Sequence, residues 1–225
     1  MSTNIVANNL IYTVTEGGKG RNILKGIDCS IPKGTLTTIS GPSGSGKTTF
    51  MYALAGLLEE VKGEVNYKDV SLYSLNSSER DSFRLKNISF IFQHLNLFGF
   101  MNVEDNIRLN YILRNEKVSS EVEAKIDHYM DIMKLGNIRK KEIQTLSGGE
   151  KQRIAIIRAF VSGAKYIFAD EPTGNLDKEN SYLFMDCLKN IMKENDATVV
   201  LVTHDNQIFQ YGDNQLIIED GKILR

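Results

Sequence analysis

Gly41-Pro42-Ser43-Gly44-Ser45-Gly46-Lys47-Thr48-Thr49 fits the pattern G-x-x-x-x-G-K-[ST]. The run before it, Leu36-Thr37-Thr38-Ile39-Ser40, is rich in β-formers and predicts a buried strand, and Thr49 to Gly56 predicts a helix. A glycine-rich loop between strand and helix is the setting in which this pattern cradles phosphate. Gly41, Gly44 and Gly46 let backbone N–H groups turn toward an anion with no Cβ in the way, and Pro42, Ser43, Ser45 and Thr49 complete the cradle. The helix N-terminus adds partial positive charge. Lys47 is expected to reach the β- and γ-phosphates, and the Thr48 hydroxyl to ligate Mg²⁺. The loop alone indicates a nucleoside triphosphate and not what its energy drives.

A chain of 225 residues suits one domain, or one domain with a subdomain, and is long enough to bury a full core. Charged residues make up 24% and the net charge is −1, so the global basic footprint of a nucleic-acid binder is missing. No apolar run approaches the roughly 18–20 residues of a membrane span. Met1-Ser2-Thr3-Asn4 has neither a basic start nor an apolar core, so no secretory signal is expected. Cys29 and Cys187 lie too far apart for a metal spacing and read as free thiols in a reducing compartment. A cytoplasmic chain is expected, with any membrane association made through a partner.

Outward from the loop, Ile5 to Val14 predicts a strand, Glu16 to Gly20 a turn, and Ile23 to about Pro32 a second strand of an antiparallel hairpin. Gly63 to Tyr67 predicts a short strand and Asn76 to Arg84 a polar helix; Ile88 to Phe92 is a buried apolar run ending at Gln93. From about Asn96 to Gly149 the pattern becomes helical. Ser120 and Glu123 are spaced as a capping box; Val122, Ile126, Tyr129 and Met133 share one face as core packing; Gly136 closes that helix. Gln152 to Phe160 predicts a further helix, Tyr166 to Asp170 a strand, Lys178 to Lys193 a helix, Ala197 to Val202 a strand, and Asn206 to Gln210 a short helix. Asp220-Gly221 is a hairpin turn between Asn214–Glu219 and Ile223-Leu224.

Four further features carry chemistry. Asp170 ends an apolar strand, where an acid suits a Mg²⁺ hydration shell, and Glu171 follows it, placed to polarise an attacking water. Gln93 ends another strand, where its amide could touch water and metal. His204 follows a strand and could hydrogen-bond a γ-phosphate, although a lone histidine is more often structural. Leu146-Ser147-Gly148-Gly149-Glu150 opens a helix and offers hydroxyl and backbone donors to phosphate; as a bare string it is also an ordinary N-cap.

Taken together, the sequence resembles the nucleotide-binding subunit of ATP-binding cassette (ABC) transporters over essentially its whole length. Gly41–Thr48 matches that family's Walker A loop, Gln93 its Q-loop, Leu146–Glu150 its signature, Ile167–Asp170 with Glu171 its Walker B strand and catalytic glutamate, Asn175-Leu176-Asp177 its D-loop, and His204 its switch histidine. Pro172 to Asp177 and Phe92 to Leu97 look most like the lipoprotein-releasing, macrolide-exporting and antimicrobial-peptide-resistance branch. The resemblance implies an α/β fold with a RecA-like phosphate-loop core (residues 1–94 and 150–225), an N-terminal antiparallel β subdomain and an inserted helical subdomain over about 95–149. It implies ATP and Mg²⁺ as ligands, with Thr48, Gln93 and Asp170 toward the metal and Glu171, His204 and Gln93 in catalysis. Two copies would pair head to tail around two ATP molecules, Lys47 of one facing Ser147 and Gly149 of the other, and residues 93–110 would pass the motion to an integral membrane permease at the inner face of the cell membrane.

Two departures stand out. The usual adenine-stacking aromatic position falls on Val14; Tyr12, on the same strand face, either substitutes for it or packs in the core. Lys151 stands where the branch commonly has Gln. A non-transport cassette ATPase fits less well, because its relatives carry two cassettes or a long coiled coil. A phosphate-loop kinase leaves Ser147-Gly148-Gly149 unexplained, and a regulatory module without turnover leaves Glu171 and His204 unexplained.

Overall fold

In a computed structural model, which describes residues 3–17, 19–174 and 176–224, the chain opens with two long strands, β1 (Thr3–Glu16) and β2 (Lys19–Pro32). β3 (Leu36–Ser40) leads through the phosphate loop into α1 (Lys47–Leu54). β4 (Lys62–Tyr67), β5 (Val70–Ser71) and α2 (Ser77–Asn87) precede β6 (Ile88–Ile91). The helical segment holds α3 (Val103–Ile107), α4 (Leu109–Leu113) and α5 (Ser120–Ile132), and α6 (Gly148–Val161) leads out of it. β7 (Tyr166–Asp170), α7 (Lys178–Glu194), β8 (Thr198–Val202), α8 (Asn206–Phe209), β9 (Asn214–Glu219) and β10 (Lys222–Ile223) complete the chain.

Two sheets form. One is four-stranded and antiparallel, ordered β2-β1-β4-β5; the other has six strands ordered β10-β9-β3-β8-β7-β6, parallel except for the closing β9–β10 hairpin. This is the α/β phosphate-loop architecture with an added antiparallel sheet. The central parallel strands are continuous apolar runs because both their faces are covered. Val199 and Leu201 of β8 point into one core with Leu36, Ile91 and Ile167, packed under α3, α5, α6 and α7. Val200 and Val202 point the other way, with Ile39 and Phe168, into a second core shared with α1 and the antiparallel sheet. The period-2 alternation of one strand therefore serves both layers. The apolar face of α5 joins the first of these cores, so the helical segment packs on the sheet's own hydrophobic layer.

Several boundaries differ from expectation. The helix after the loop starts at Lys47, two residues early, because Gly46 takes a left-handed φ of 102° and serves as its N-cap. The Ser120/Glu123 capping box does not form. Ser119 is the N-cap and its hydroxyl accepts from Val122 N, while Glu123 is drawn away by Arg108 and Arg139. α5 ends at Ile132, and Lys134 (φ 54°) adopts the left-handed turn ahead of Gly136 (φ 48°). The Asp220-Gly221 turn has both φ values positive, 46° and 74°, as the tight hairpin requires. Cys29 and Cys187 are free, with burial pushing the Cys29 thiol up to about 12.

Candidate active site

Strand order brings the motif residues to one edge. From the centre outward, β3 carries the phosphate loop, β8 carries His204, β7 carries Asp170 and Glu171, and β6 leads to Gln93. Val202 pairs with Ile39 on one side and Asp170 on the other, and Ala169 pairs with Ile91. All four strands end together, so residues far apart in sequence meet at the carboxyl ends, where parallel sheets bind ligands.

The phosphate loop is built for an anion. Gly41, Gly44 and Gly46 have φ of 149°, 74° and 102°. A Cβ on Gly41 would meet the Ile218 carbonyl oxygen at 2.0 Å, so β9 passes too close for any other residue there. Lys47 Nζ donates to the carbonyls of Gly41 and Pro42, both at 2.9 Å, which folds the ammonium back over the loop. No acidic side chain sits in the first turn of α1 and no side chain caps it, so its leading N–H groups remain for a ligand. The Ser45 hydroxyl is buried without a hydrogen-bond partner. A groove of about 290 Å³ opens beside the loop, walled by Gly44, Gly46, Lys47, Thr48, Arg21 and Ile23. The glycine cradle, the orphaned Ser45 hydroxyl and the folded-back Lys47 fit a polyphosphate.

Thr48 Oγ1 donates to Asp170 Oδ1 at 3.1 Å, and the Tyr52 hydroxyl to Oδ2 at 3.3 Å. Burial raises the Asp170 carboxyl above its ordinary range, against these two hydrogen bonds, which lower it. Among the described residues no cluster of three or more His, Cys, Asp or Glu forms a self-sufficient metal site. The paired oxygens of Thr48 and Asp170 instead suit a hard cation carried in on phosphate. Tyr52 was not anticipated. Its place one helical turn after Thr48 is the signal that could have found it.

Glu171 sits in the left-handed region (φ 43°), its N–H donating to Val202 O at 3.0 Å. Its carboxylate lies 2.8 Å from His204 Nδ1. A Cβ built on Gly174 would lie 3.3 Å from the Gln93 amide nitrogen and 3.7 Å from a Glu171 carboxylate oxygen, so Gln93 and Glu171 converge on this glycine. The structure thus brings Gln93, Glu171 and His204 together beside the Asp170–Thr48 pair. Asn175 lies outside the described residues. Asp177 caps α7, accepting from Asn180 N at 2.9 Å.

The signature stands apart. Ser147 is the N-cap of α6, and its N–H and hydroxyl each donate at 2.8 Å to the Glu150 carboxylate, a capping box that also holds Glu150 below the usual carboxylate range. Ser147 and Gly148 are exposed, and neither lines the grooves beside the phosphate loop. Downstream on α6, Gln152 donates to Pro172 O at 2.8 Å, tying the signature helix to the segment after Glu171. Arg158 donates to the carbonyls of Asn96 and Leu95 at 2.7 and 2.6 Å. Leu95 and Asn96 are both left-handed (φ 61° and 44°), a strain on the order of 1–3 kcal/mol each. Tyr12 packs against the core under the antiparallel sheet; the groove beside the loop is walled by Arg21 and Ile23, and neither Tyr12 nor Val14 lines it.

A parallel sheet with a glycine loop, a strand-end Asp-Glu pair and an opposed histidine at its carboxyl edge defines a phosphate-loop ATPase. The chain belongs to the ABC transporter family, whose profile it matches over residues 24–174. It is 33% identical over 221 residues to the "Putative hemin import ATP-binding protein HrtA" of Staphylococcus aureus strain Newman, covering 97% of this chain and 98% of that protein. Its fold matches the dimeric structure of MJ0796, a bacterial ABC transporter cassette, with a TM-score of 0.87, 31% identity and coverage of 98% and 97%. It matches equally, at 30% identity over the same coverage, the dimeric post-hydrolysis state of that cassette bound to ADP and Pi. For cbiO1 of Clostridium perfringens, part of the transporter complex cbiONQ, the TM-score is 0.86 at 26% identity, covering 100% of this chain and 88% of that one. The chain is accordingly an ABC-type ATPase. Among the described residues no helix is long and apolar enough to cross a membrane.

Proposed function

We propose that the chain binds Mg-ATP at the phosphate loop and hydrolyses it as one half of a two-fold ATP sandwich that drives a membrane-embedded permease. The observation that carries hydrolysis is the 2.8 Å contact of His204 with Glu171, beside an Asp170 already held by Thr48. Glu171 is the base that takes the proton of the attacking water; His204 orients that carboxylate and reaches toward the γ-phosphate; Gln93 presents its amide to the same space. Thr48 and Asp170, with Gln93 nearby, would hold Mg²⁺, which would offset the negative charge between the β- and γ-phosphates.

The exposed signature supports two copies. Ser147 and Gly148 are exposed, and neither they nor Gly149 line the grooves beside their own phosphate loop, so the three serve the loop of a second copy in a self-complementary arrangement. The dimeric state of the MJ0796 cassette supports the same reading. In it, residues 1–94 with 150–225 form the nucleotide-binding body and about 95–149 the arm that carries the signature. A groove of about 270 Å³ beyond Gln93, lined by Phe90, Phe92, Phe98 and Leu109, with Phe100 81% exposed nearby, suits contact with the permease at the inner membrane face.

Two cargo readings rest on separate observations. The runs 172–177 and 92–97 favour export or lipoprotein and peptide handling; the likeness to HrtA, named for hemin import, favours hemin import. Reconstitution with the membrane subunit in proteoliposomes, followed by the direction of ATP-driven movement of hemin and of a lipopeptide, decides between them. Hydrolysis itself is tested by Glu171→Gln, which keeps shape but cannot take a proton. Unchanged turnover in that variant removes Glu171 from the role.

A further inference from the structure

Arg158 is buried, with 7% of its surface exposed, and among the described residues no carboxylate pairs with it. A guanidinium taken out of water without a counter-charge must be repaid by hydrogen bonds. Here both acceptors are main-chain carbonyls, those of Leu95 and Asn96, at 2.6 and 2.7 Å. These are the two consecutive non-glycine residues held in the left-handed region, two and three positions after Gln93. On the other flank the buried Asn106 amide grips Phe98, accepting from its N–H at 2.8 Å and donating to its carbonyl at 3.0 Å. The turn after Gln93 is thus fastened at both ends, by α6 and by α3. Burial lowers Arg158 to about 10, which leaves it charged near neutral pH.

We propose that Arg158 is a positioning residue for Gln93. Its two-pronged hydrogen bonding keeps Leu95 and Asn96 left-handed, and it makes the Gln93 turn and the signature helix one mechanical unit. α6 is capped by Ser147 and carries Arg158 on its last turn, so a displacement at the signature end is delivered to the turn that carries Gln93. Arg158 and Asn96 also line the groove formed with Phe90, Phe92 and Phe98, so a segment seated there presses on the same link. The planar fork matters because Nη1 and Nη2 each take one carbonyl at a fixed spacing, whereas the donors of a lysine ammonium rotate on a flexible stem and set no such spacing. This inference rests on the reading of Gln93 given above.

The test uses the full chain with Arg158→Lys, which keeps the charge and the stem, and Arg158→Met, which keeps the stem alone. Amide hydrogen exchange of residues 95–98 is expected to quicken at least tenfold in both variants, while β3, β8 and α6 keep wild-type protection. ATP affinity is expected to stay within twofold, because the phosphate loop is not touched. In the ATPase-competent assembly kcat is expected to fall about tenfold at unchanged KM, and Gln93→Ala is expected to abolish any further effect of Arg158→Lys. Unchanged exchange at 95–98 in Arg158→Lys would overturn the proposal. So would fully additive losses in the double variant. If Gln93→Ala turns over ATP normally, the reading of Gln93 fails while the exchange result still judges the clamp. Should Arg158→Met unfold, Arg158→Lys carries the same comparison.

Discussion

Nδ1 of His204 lies 2.8 Å from a carboxylate oxygen of Glu171, and the two residues sit at the ends of adjacent parallel strands. Glu171 is further constrained by its left-handed backbone and by its N–H bond to Val202. The histidine therefore orients a carboxylate that the strand end already holds in place. His204→Ala is expected to lower kcat by about tenfold to a hundredfold, less than the ~10²–10⁴ carried by a general base itself. Its affinity for ATP is expected to change little. Steady-state turnover paired with calorimetry checks both halves; turnover equal to wild type would assign the histidine to structure alone.

Lys47 is folded over the loop by two carbonyls and needs only a small swing to meet phosphate. Lys47→Ala removes charge-assisted hydrogen bonds worth about 1.5–3 kcal/mol each. The Kd for Mg-ATP is therefore expected to rise by roughly tenfold to more than a hundredfold. Titration calorimetry reads this directly, and a wild-type Kd would refute the phosphate-loop reading.

Two glycines separate folding from function. A Cβ on Gly41 meets Ile218 O at 2.0 Å, whereas one on Gly148 meets nothing within 4 Å. Gly41→Ala is expected to cost more than about 2 kcal/mol, through backbone strain and the clash with β9. Gly148→Ala is expected to fold with wild-type stability and lose ATP-driven pairing of two copies. Thermal melts and light scattering on the two variants test the contrast.

Away from the catalytic edge, Glu104 (6% exposed) is gripped by Arg108, Arg139 and Lys140. Glu104→Ala is expected to cost about 2–3 kcal/mol, under the about 3–5 kcal/mol of a fully buried pair, because both arginines keep some solvent. Nearby, burial pushes Glu123 up, but hydrogen bonds from Arg108 and Arg139 outweigh it and hold the carboxyl below the usual carboxylate range. A depressed folded value means the contribution is complete above the ordinary carboxylate value and vanishes as pH falls through the folded one. Glu123→Gln is accordingly expected to lower the urea midpoint near about pH 7, with the difference from wild type shrinking as pH falls through the depressed folded value.

Much of this site is legible in the chain itself. The phosphate loop follows a run of β-formers, the Asp170-Glu171 pair and His204 each follow an apolar run that marks a buried strand, and the spacing of Gly41, Gly44, Gly46 and Lys47 announces the loop. Other residues act through contacts distant in sequence. Arg158 reads as an ordinary basic residue on a helix until Leu95 and Asn96 are placed beneath it. Gln152 and Asn106 likewise look like surface amides and are buried. The expected box at Ser120 fails because Ser119 offers an equivalent hydroxyl one residue earlier, while two arginines from elsewhere claim Glu123. Local spacing cannot reveal such competition.

The central claim is that Ser147 of one copy completes the ATP site of another. Glu171→Gln is expected to block the proton transfer proposed to open the sandwich, so light scattering with Mg-ATP is expected to shift from monomer to dimer, with no shift in Mg-ADP. Adding Ser147→Arg is expected to abolish the shift while leaving ATP binding by the monomer intact, and the same pattern is expected by cross-linking with the membrane subunit present. Cassettes that stay apart in Mg-ATP in both settings, or that pair equally well with Ser147→Arg, would contradict the two-chain mechanism.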